Sequence, residues 1–193
     1  EARAAPSQHH ADFEDAACRG ISLLQLRNLA EQIKFQAPTW TAESLESDAA
    51  KRFFLERHST APSYDVVNIH DVVNFLVVPQ TAVRKCSYVE IAEDGPKVAE
   101  YYLDYSWSMK FADFMRCVEW IAETRSLPDS TIFWCCFAAN NQHDTYNEEG
   151  KFKQGLEFTS FGHTIRECVG VCALCSAEVP IMSRVWCVLE LAV

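Results

Sequence analysis

A single carboxylate stands inside an apolar run near the end of the sequence. Glu190 belongs to Ser183–Leu191, SRVWCVLEL, and a buried carboxylate is costly unless it is paired or used in chemistry. Val188 and Leu191 mark the buried face of a predicted helix, so Glu190 lies off the centre of that face. Spacing alone favours a residue of the helix surface, and a residue of a site is the alternative.

Polar side chains follow the apolar run TIFWCCFA. They are Asn140, Asn141, Gln142 and His143, and such groups suit hydrogen bonds to a ribose or an amide. Capping of the loop is an equal alternative. His143 has the chemistry of an acid or a base, but no motif places a serine or cysteine nucleophile beside it. Nucleophilic catalysis is therefore not predicted.

Four cysteines suggest a metal site, but strand geometry argues against one. Cys172 and Cys175 have the C-x₂-C spacing of zinc ligands, and Cys168 and Cys187 lie nearby in the sequence. Residues three apart in a strand point to opposite faces, so this pair cannot share a metal. We predict buried thiols and no metal site. The six glycines form no G-x-G or G-K-[ST] phosphate loop.

Composition and charge exclude several classes of protein. The formal net charge is −10 and the basic residues form no stripe, which argues against a nucleic-acid partner. Nine cysteines, an odd number inside apolar stretches, indicate free thiols in a reducing intracellular compartment, either cytoplasmic or organellar. The longest apolar runs fall far short of the ~20 residues of a membrane helix, so no span is predicted.

Residues 1–62 are predicted to form an arm followed by a helical extension. Ser22 and Gln25 have the spacing of a capping box, and an amphipathic pattern follows them. A second helix is predicted across residues 42–57. Its predicted buried stripe is Leu45, Ala49, Phe53 and Phe54.

Residues 63–98 are predicted to connect this extension to the rest of the chain. Asn68 could cap a short helix, whereas the many valines favour extended chain, so the conformation of this segment stays open. Ser87 and Glu90 form a second capping-box pattern, and Asp94-Gly95-Pro96 is a strong stop.

Residues 99–193 alternate between extended and helical patterns. The predicted strands are 99–106, 131–138 and 169–176, and the last two are apolar on both faces, as in a buried parallel sheet. Helices are predicted after Phe111, from Ser160 to Cys168, and from Ser183. This order predicts a doubly wound parallel α/β domain with a helical N-terminal extension.

A ligand of such a sheet binds at the carboxyl ends of its strands. The chain delivers Ser106 and Trp107 after the first strand, residues 140–143 after the second, and residues 176–183 after the third. Glu190 lies about two turns into the last helix and could face this crevice from its side. We therefore expect these residues to converge near the start of the last helix.

The last helix carries a motif of a known family. The W-C-x-x-E-L pattern from Trp186 to Leu191, after the strand VGVCALCS and the spacer AEVPIM, resembles the passage from the third strand to the next helix in Toll/interleukin receptor (TIR) domains. The resemblance covers residues 99–193 and implies a flavodoxin-like parallel sheet. A TIR fold has about two more strands after this helix, so either the sequence is cut short here or another chain covers the open edge of the sheet. For the second case we expect a protein partner or a second copy at this C-terminal edge.

The resemblance also implies a chemistry. In TIR domains that cleave NAD the helix glutamate is catalytic, and that residue matches Glu190. It would stabilise the positive charge that develops on the ribose as nicotinamide leaves, while Trp107 stacks and Asn140 or Asn141 holds hydroxyl groups. The other cofactor-binding residues that we predict are Ser106, His143 and Trp186. NAD is accordingly the cofactor to consider.

A closer likeness is to a group of protist and algal proteins with an FVSHWWG-like strand, an ANNQH strand end and an RxWCxxE helix. This sequence keeps Trp107, residues 140–143 and residues 184–190, but Asp104–Ser106 stand where the group has S-H-W. These departures fall at the crevice. We therefore expect a protein-interaction module, acting in signalling or as an accessory subunit of a larger complex, with NAD⁺ glycohydrolysis by Glu190 as the alternative.

Overall fold

A computed structural model describes residues 13–91, 95–144 and 159–176. The strands are β1 (Ile21–Ser22), β2 (Tyr101–Asp104), β3 (Ile132–Trp134) and β4 (Gly170–Ala173). The α-helices are α1 (Leu23–Gln36), α2 (Asp48–Leu55), α3 (Ile69–Val72), α4 (Val78–Thr81), α5 (Phe111–Arg125), α6 (Cys136–Ala139) and α7 (Ser160–Glu167). A π-helical turn, Val73–Val77, joins α3 to α4, and 3₁₀ turns cover Ala16–Cys18, Ala37–Thr39, Ala42–Ser44 and Tyr88–Ile91.

The four strands form one mixed sheet in the order β1-β3-β2-β4. β2 pairs in parallel with β3 on one side and with β4 on the other, which confirms the predicted α/β class. β1 adds a short antiparallel edge to β3, and the sequence analysis did not predict it. Because the chain leaves β2 for β3 and then crosses to the other side of β2, the direction of winding reverses between β2 and β4.

Helices cover both faces of the sheet, as the two-sided apolar strands require. Leu103 and Phe133 belong to a large core that α1 and α5 cover. Their neighbours Tyr102 and Trp134 point to the opposite face, where they stack at 5.0 Å and pack with Ile165 of α7. Alternating side chains thus place α1 and α5 on one face of the sheet and α7 on the other.

Local capping explains where the helices of the N-terminal half begin. Ser22 caps α1 in a capping box with Gln25, as predicted. Asn68 caps α3: its side chain accepts from the Asp71 backbone N–H at 3.1 Å, and Asp71 Oδ2 accepts from the Asn68 N–H at 3.0 Å. The segment that the sequence left open is therefore helical from Ile69.

Three predicted boundaries were wrong. The helix predicted across residues 42–57 begins at Asp48. Of the stripe predicted to be buried, Phe54 is buried on this helix, whereas Ala49 and Phe53 are exposed. The strand predicted to reach residue 138 ends at Trp134, since α6 starts two residues later. The cap of α7 is Thr159 rather than the following serine, because the Thr159 hydroxyl accepts from the Gly162 N–H at 3.2 Å.

Residues from all three predicted segments contribute to the core beneath α1 and α5. Its buried members run from Ile21 and Leu26 through Leu76 and Phe114 to Leu174. The α-helical extension therefore packs directly on the α/β layer, and its helices help to form the walls around the strand ends.

Candidate functional site at the strand ends

The residues that end β2 are almost completely inside the protein. Asp104, Tyr105 and Ser106 are all buried, and only Trp107 is partly exposed. Ser106 closes a turn: its hydroxyl accepts from the Ser108 N–H at 3.2 Å. Burial and the nearby Cys136 thiol raise the pKa of Tyr105 well above its ordinary value, so this phenol is neutral. The three residues that depart from the S-H-W pattern, 104–106, are therefore all buried.

A thiol joins the ends of β2 and β3. Cys136 Sγ lies 3.1 Å from Trp107 Nε1 and 3.2 Å from the Tyr105 hydroxyl oxygen. An indole N–H can only donate, so the sulfur accepts from Trp107. The Tyr105 oxygen in turn accepts from the Phe137 N–H at 3.1 Å. Sequence analysis missed this cluster, although the aromatic pair flanking Ser106 and a cysteine at the next strand end were a signal for it.

Aromatic side chains of the helical extension and of the segment that follows it reach the same place. The ring of His70, on α3, meets Trp107 edge-on with centroids 5.3 Å apart. Phe53, on α2, packs edge-on against His70 at 5.0 Å. The wall beside Trp107 is therefore built by the N-terminal helices, which the sequence analysis placed outside the site.

The polar residues after α6 bind other parts of the same chain. Asn140 Oδ1 accepts from the Ser160 hydroxyl at 3.0 Å, which ties the loop to the start of α7. Asn141 donates to the Lys85 carbonyl at 2.7 Å and accepts from the His143 N–H at 3.0 Å. The Gln142 amide donates to the carbonyls of residues 136, 137 and 140. Such bonds are the ones expected if these residues cap their own loop, which was the alternative to binding a ribose or an amide.

His143 fixes this loop to the end of α4. Its Nε2 lies 2.8 Å from the Thr81 hydroxyl oxygen, and that hydroxyl donates to the Val77 carbonyl at 2.7 Å. The Thr81 oxygen therefore accepts from a proton on His143 Nε2. Burial and the charge of Lys85 lower the pKa of His143, which favours the neutral imidazole.

The structure thus brings together some of the predicted site residues. Trp107 and the loop of residues 140–143 both contact the end of β3, through Cys136 and its carbonyl. Ser176, at the end of β4, is partly buried. Glu190, Trp186, Cys187 and the cap Ser183 lie outside the described residues, so their roles stay predictions.

Cysteines of the described ranges are free thiols. Cys172 is buried and Cys175 is exposed, so the prediction that both are buried was wrong for Cys175. β4 ends at Ala173, so Cys175 lies after the strand and the alternation predicted for the pair does not apply to it. Burial raises the pKa of Cys168 to about 12 and also raises that of Cys172, which makes these thiols inert.

The described ranges contain no candidate metal cluster and no candidate membrane-spanning helix. Within residues 13–91, 95–144 and 159–176, no three His, Cys, Asp or Glu side chains are gathered closely enough to hold a metal ion. No helix of these ranges combines the length and the apolar character needed to cross a membrane.

No protein family, no curated protein and no solved structure matches this chain. The likeness to TIR domains therefore stays a prediction from the W-C-x-x-E-L motif and the order of elements. The α/β architecture, by contrast, is a property of the structure itself.

Proposed function

We propose that this protein is a TIR-like interaction module that works through protein contacts, in signalling or as an accessory subunit of a larger assembly. Support comes from the strand ends, where Asn140, Asn141 and His143 spend their hydrogen bonds on Ser160, Lys85 and Thr81. Binding a ribose through these groups would require breaking bonds that hold the loop. Three of the predicted cofactor-binding residues thus have a structural use.

The contact surface that we propose is the outer edge of β4. In the described sheet β4 pairs with β2 on one side only, so its other side can accept a strand. Val169, just before β4, is 72% exposed, and Ala173 and Cys175 are exposed as well. The side of β4 that has no neighbour in the described sheet is the observation that carries the proposal.

A second copy of the chain is the partner that this edge fits. Residues 169–175, VGVCALC, contain no charged side chain, although the whole chain has a net charge of −10. Two such strands can therefore approach without opposing like charges, and a two-fold axis would present each edge to its own equivalent. Elsewhere on an acidic surface a self-contact would meet repulsion.

Sedimentation velocity over a range of protein concentrations tests this contact. We expect reversible association of the wild-type chain and its loss in Val169→Lys, because an edge lysine disfavours strand pairing. Val83→Lys is the matched control, since Val83 is 95% exposed and lies away from the sheet, after α4. Association that survives Val169→Lys, or a chain that stays monomeric throughout, contradicts the proposed edge.

NAD hydrolysis is the competing function from the resemblance, and the same preparations decide between the two. The interaction module predicts no nicotinamide release above the level of a Glu190→Ala variant. Release by the wild-type chain that Glu190→Ala abolishes would establish the enzyme instead. Trp107→Ala then serves as a second check, because the loss of a stacking residue at the strand end should weaken NAD binding as well.

A further inference from the structure

A cavity lies between α1, the end of α4 and the 3₁₀ turn of residues 88–91. Its volume is about 270 Å³, near the lower end of the range for small-ligand sites, about 300 Å³. Part of its wall is apolar and is formed by Ile21, Leu29, Val89 and Ile91. The cavity can therefore hold one small molecule against an apolar surface.

Uncharged amide groups form a second part of the cavity wall. Asn28 and Gln32 come from one side of α1, and Gln80 reaches in from α4. Within the described part of the chain, no group hydrogen-bonds to these three side-chain amides. Each amide offers donors and an acceptor, so the cavity presents unused groups of both kinds. Gln25, a fourth lining amide, instead accepts from the Ser22 N–H at 2.9 Å.

An aromatic ring completes the wall. Tyr88 is partly buried beside Val89, and burial raises the pKa of its phenol, so the ring carries no charge at neutral pH. No lysine, arginine, aspartate or glutamate is among the lining residues in the described ranges. Lys97, which is not a lining residue, already donates from Nζ to the lining Gln25 Oε1 at 3.4 Å, so within the described ranges a charged ligand would meet no lining counter-charge to offset its lost hydration.

We propose that this cavity binds an uncharged nucleoside through its base. A base has two apolar faces, which suit Tyr88 and the aliphatic wall, and an edge with adjacent donors and acceptors, which suits asparagine and glutamine amides. A simple sugar could hydrogen-bond to the amides but has no flat aromatic face with which to cover the apolar wall. The absence of charge among the described lining residues disfavours phosphorylated forms.

Titration of the ¹⁵N-labelled chain with adenosine, guanosine, cytidine and uridine tests this site. We expect at least one nucleoside to shift the side-chain amide signals of Asn28, Gln32 and Gln80 in a saturable way. Glucose should leave these signals unchanged, and adenosine monophosphate should bind more weakly than adenosine. No shift with any nucleoside, a shift with glucose only, or tighter binding of the phosphate would overturn the proposal.

Variants localise the binding. Gln32→Leu and Asn28→Leu should each weaken nucleoside binding roughly tenfold, because a hydrogen-bonded polar group is lost from the contact. Gln36→Leu is the matched control: it makes the same change one turn further along α1, outside the cavity, and should keep the wild-type affinity. Asn28 is exposed and Gln36 partly exposed, so these variants test the site even where Gln32→Leu impairs folding. Equal affinity in Asn28→Leu and Gln36→Leu would place the ligand elsewhere.

Discussion

The carboxylate of Asp71 is buried and has no part in the strand-end site. Its side chain is fully buried and accepts from the Arg57 guanidinium, from His58 Nε2 at 2.9 Å and from the Asn68 N–H at 3.0 Å. Arg57 and His58 follow α2, whereas Asp71 stands in the first turn of α3. One buried carboxylate thus holds two helices together.

Removing this charge should destabilise the fold. Asp71→Asn leaves the Arg57 guanidinium without its anion, and breaking a buried pair costs about 3 kcal/mol of the free energy of unfolding. Urea denaturation measures the change. Asp113→Asn is the control, because its partner Arg116 is largely exposed and such pairs are worth less than about 1 kcal/mol. Equal losses in the two variants would contradict the structural role of Asp71.

His143 should make stability depend on pH. Because its pKa is lowered on folding, the unfolded chain binds a proton more readily than the folded chain. This contribution is therefore complete above the unfolded pKa of about 6.5 and is lost as the pH falls through the folded value. Gln at this position can still donate to Thr81 but does not titrate. We expect the loss of unfolding free energy between pH 7.5 and pH 5 to be smaller in His143→Gln, and an unchanged pH dependence would refute this.

At the scale of elements, the sequence could predict features that are formed by residues close together in the chain. The box of Ser22 with Gln25 involves residues three apart and is complete. Ser87 and Glu90 form only half of a box: the Glu90 carboxylate accepts from the Ser87 N–H, but the Glu90 N–H donates to the Ser87 carbonyl and not to its hydroxyl. β1 escaped prediction because it has two residues and its partner β3 is more than a hundred residues away. The end of β3 was misplaced because the apolar run continues unchanged into α6.

Gly20 permits the close approach on which β1 depends. Its N–H donates to the Lys97 carbonyl at 2.9 Å, and a Cβ at this position would lie 2.8 Å from that carbonyl oxygen and would overlap the Ile132 side chain. Backbone cannot move aside as a flexible side chain can, so Gly20→Ala should cost about 1–3 kcal/mol of unfolding free energy.

Gly170→Ala is the matched control for this substitution. A Cβ at Gly170 would meet only the Tyr101 ring, at 3.9 Å, which is ordinary contact. We therefore expect a change within about 0.5 kcal/mol by urea denaturation. Equal effects at the two glycines would mean that the β1 edge tolerates a wider spacing than the structure has.

At the scale of the whole molecule, the sequence predicted the sheet better than the site. Apolar runs separated by helical patterns predicted three parallel strands, because a strand that is buried on both faces is apolar at successive positions. The cluster around Cys136 leaves no such pattern, since Tyr105, Trp107 and His70 come from separate elements that meet only after folding. Contacts among distant segments are fixed by packing and not by local spacing.

Net charge sets the conditions under which copies of this chain should associate. Each copy carries −10, so approach of two copies is opposed by long-range repulsion, whereas the proposed β4 contact is uncharged. Salt shortens the range of charge interactions from about 10 Å at 0.1 M to about 3 Å at 1 M and leaves apolar contact intact. We therefore expect sedimentation to show stronger association at 1 M than at 0.1 M NaCl. Val169→Lys should lose this gain and Val83→Lys should keep it, whereas association that weakens with salt would indicate a contact made by ion pairs and would exclude the β4 edge.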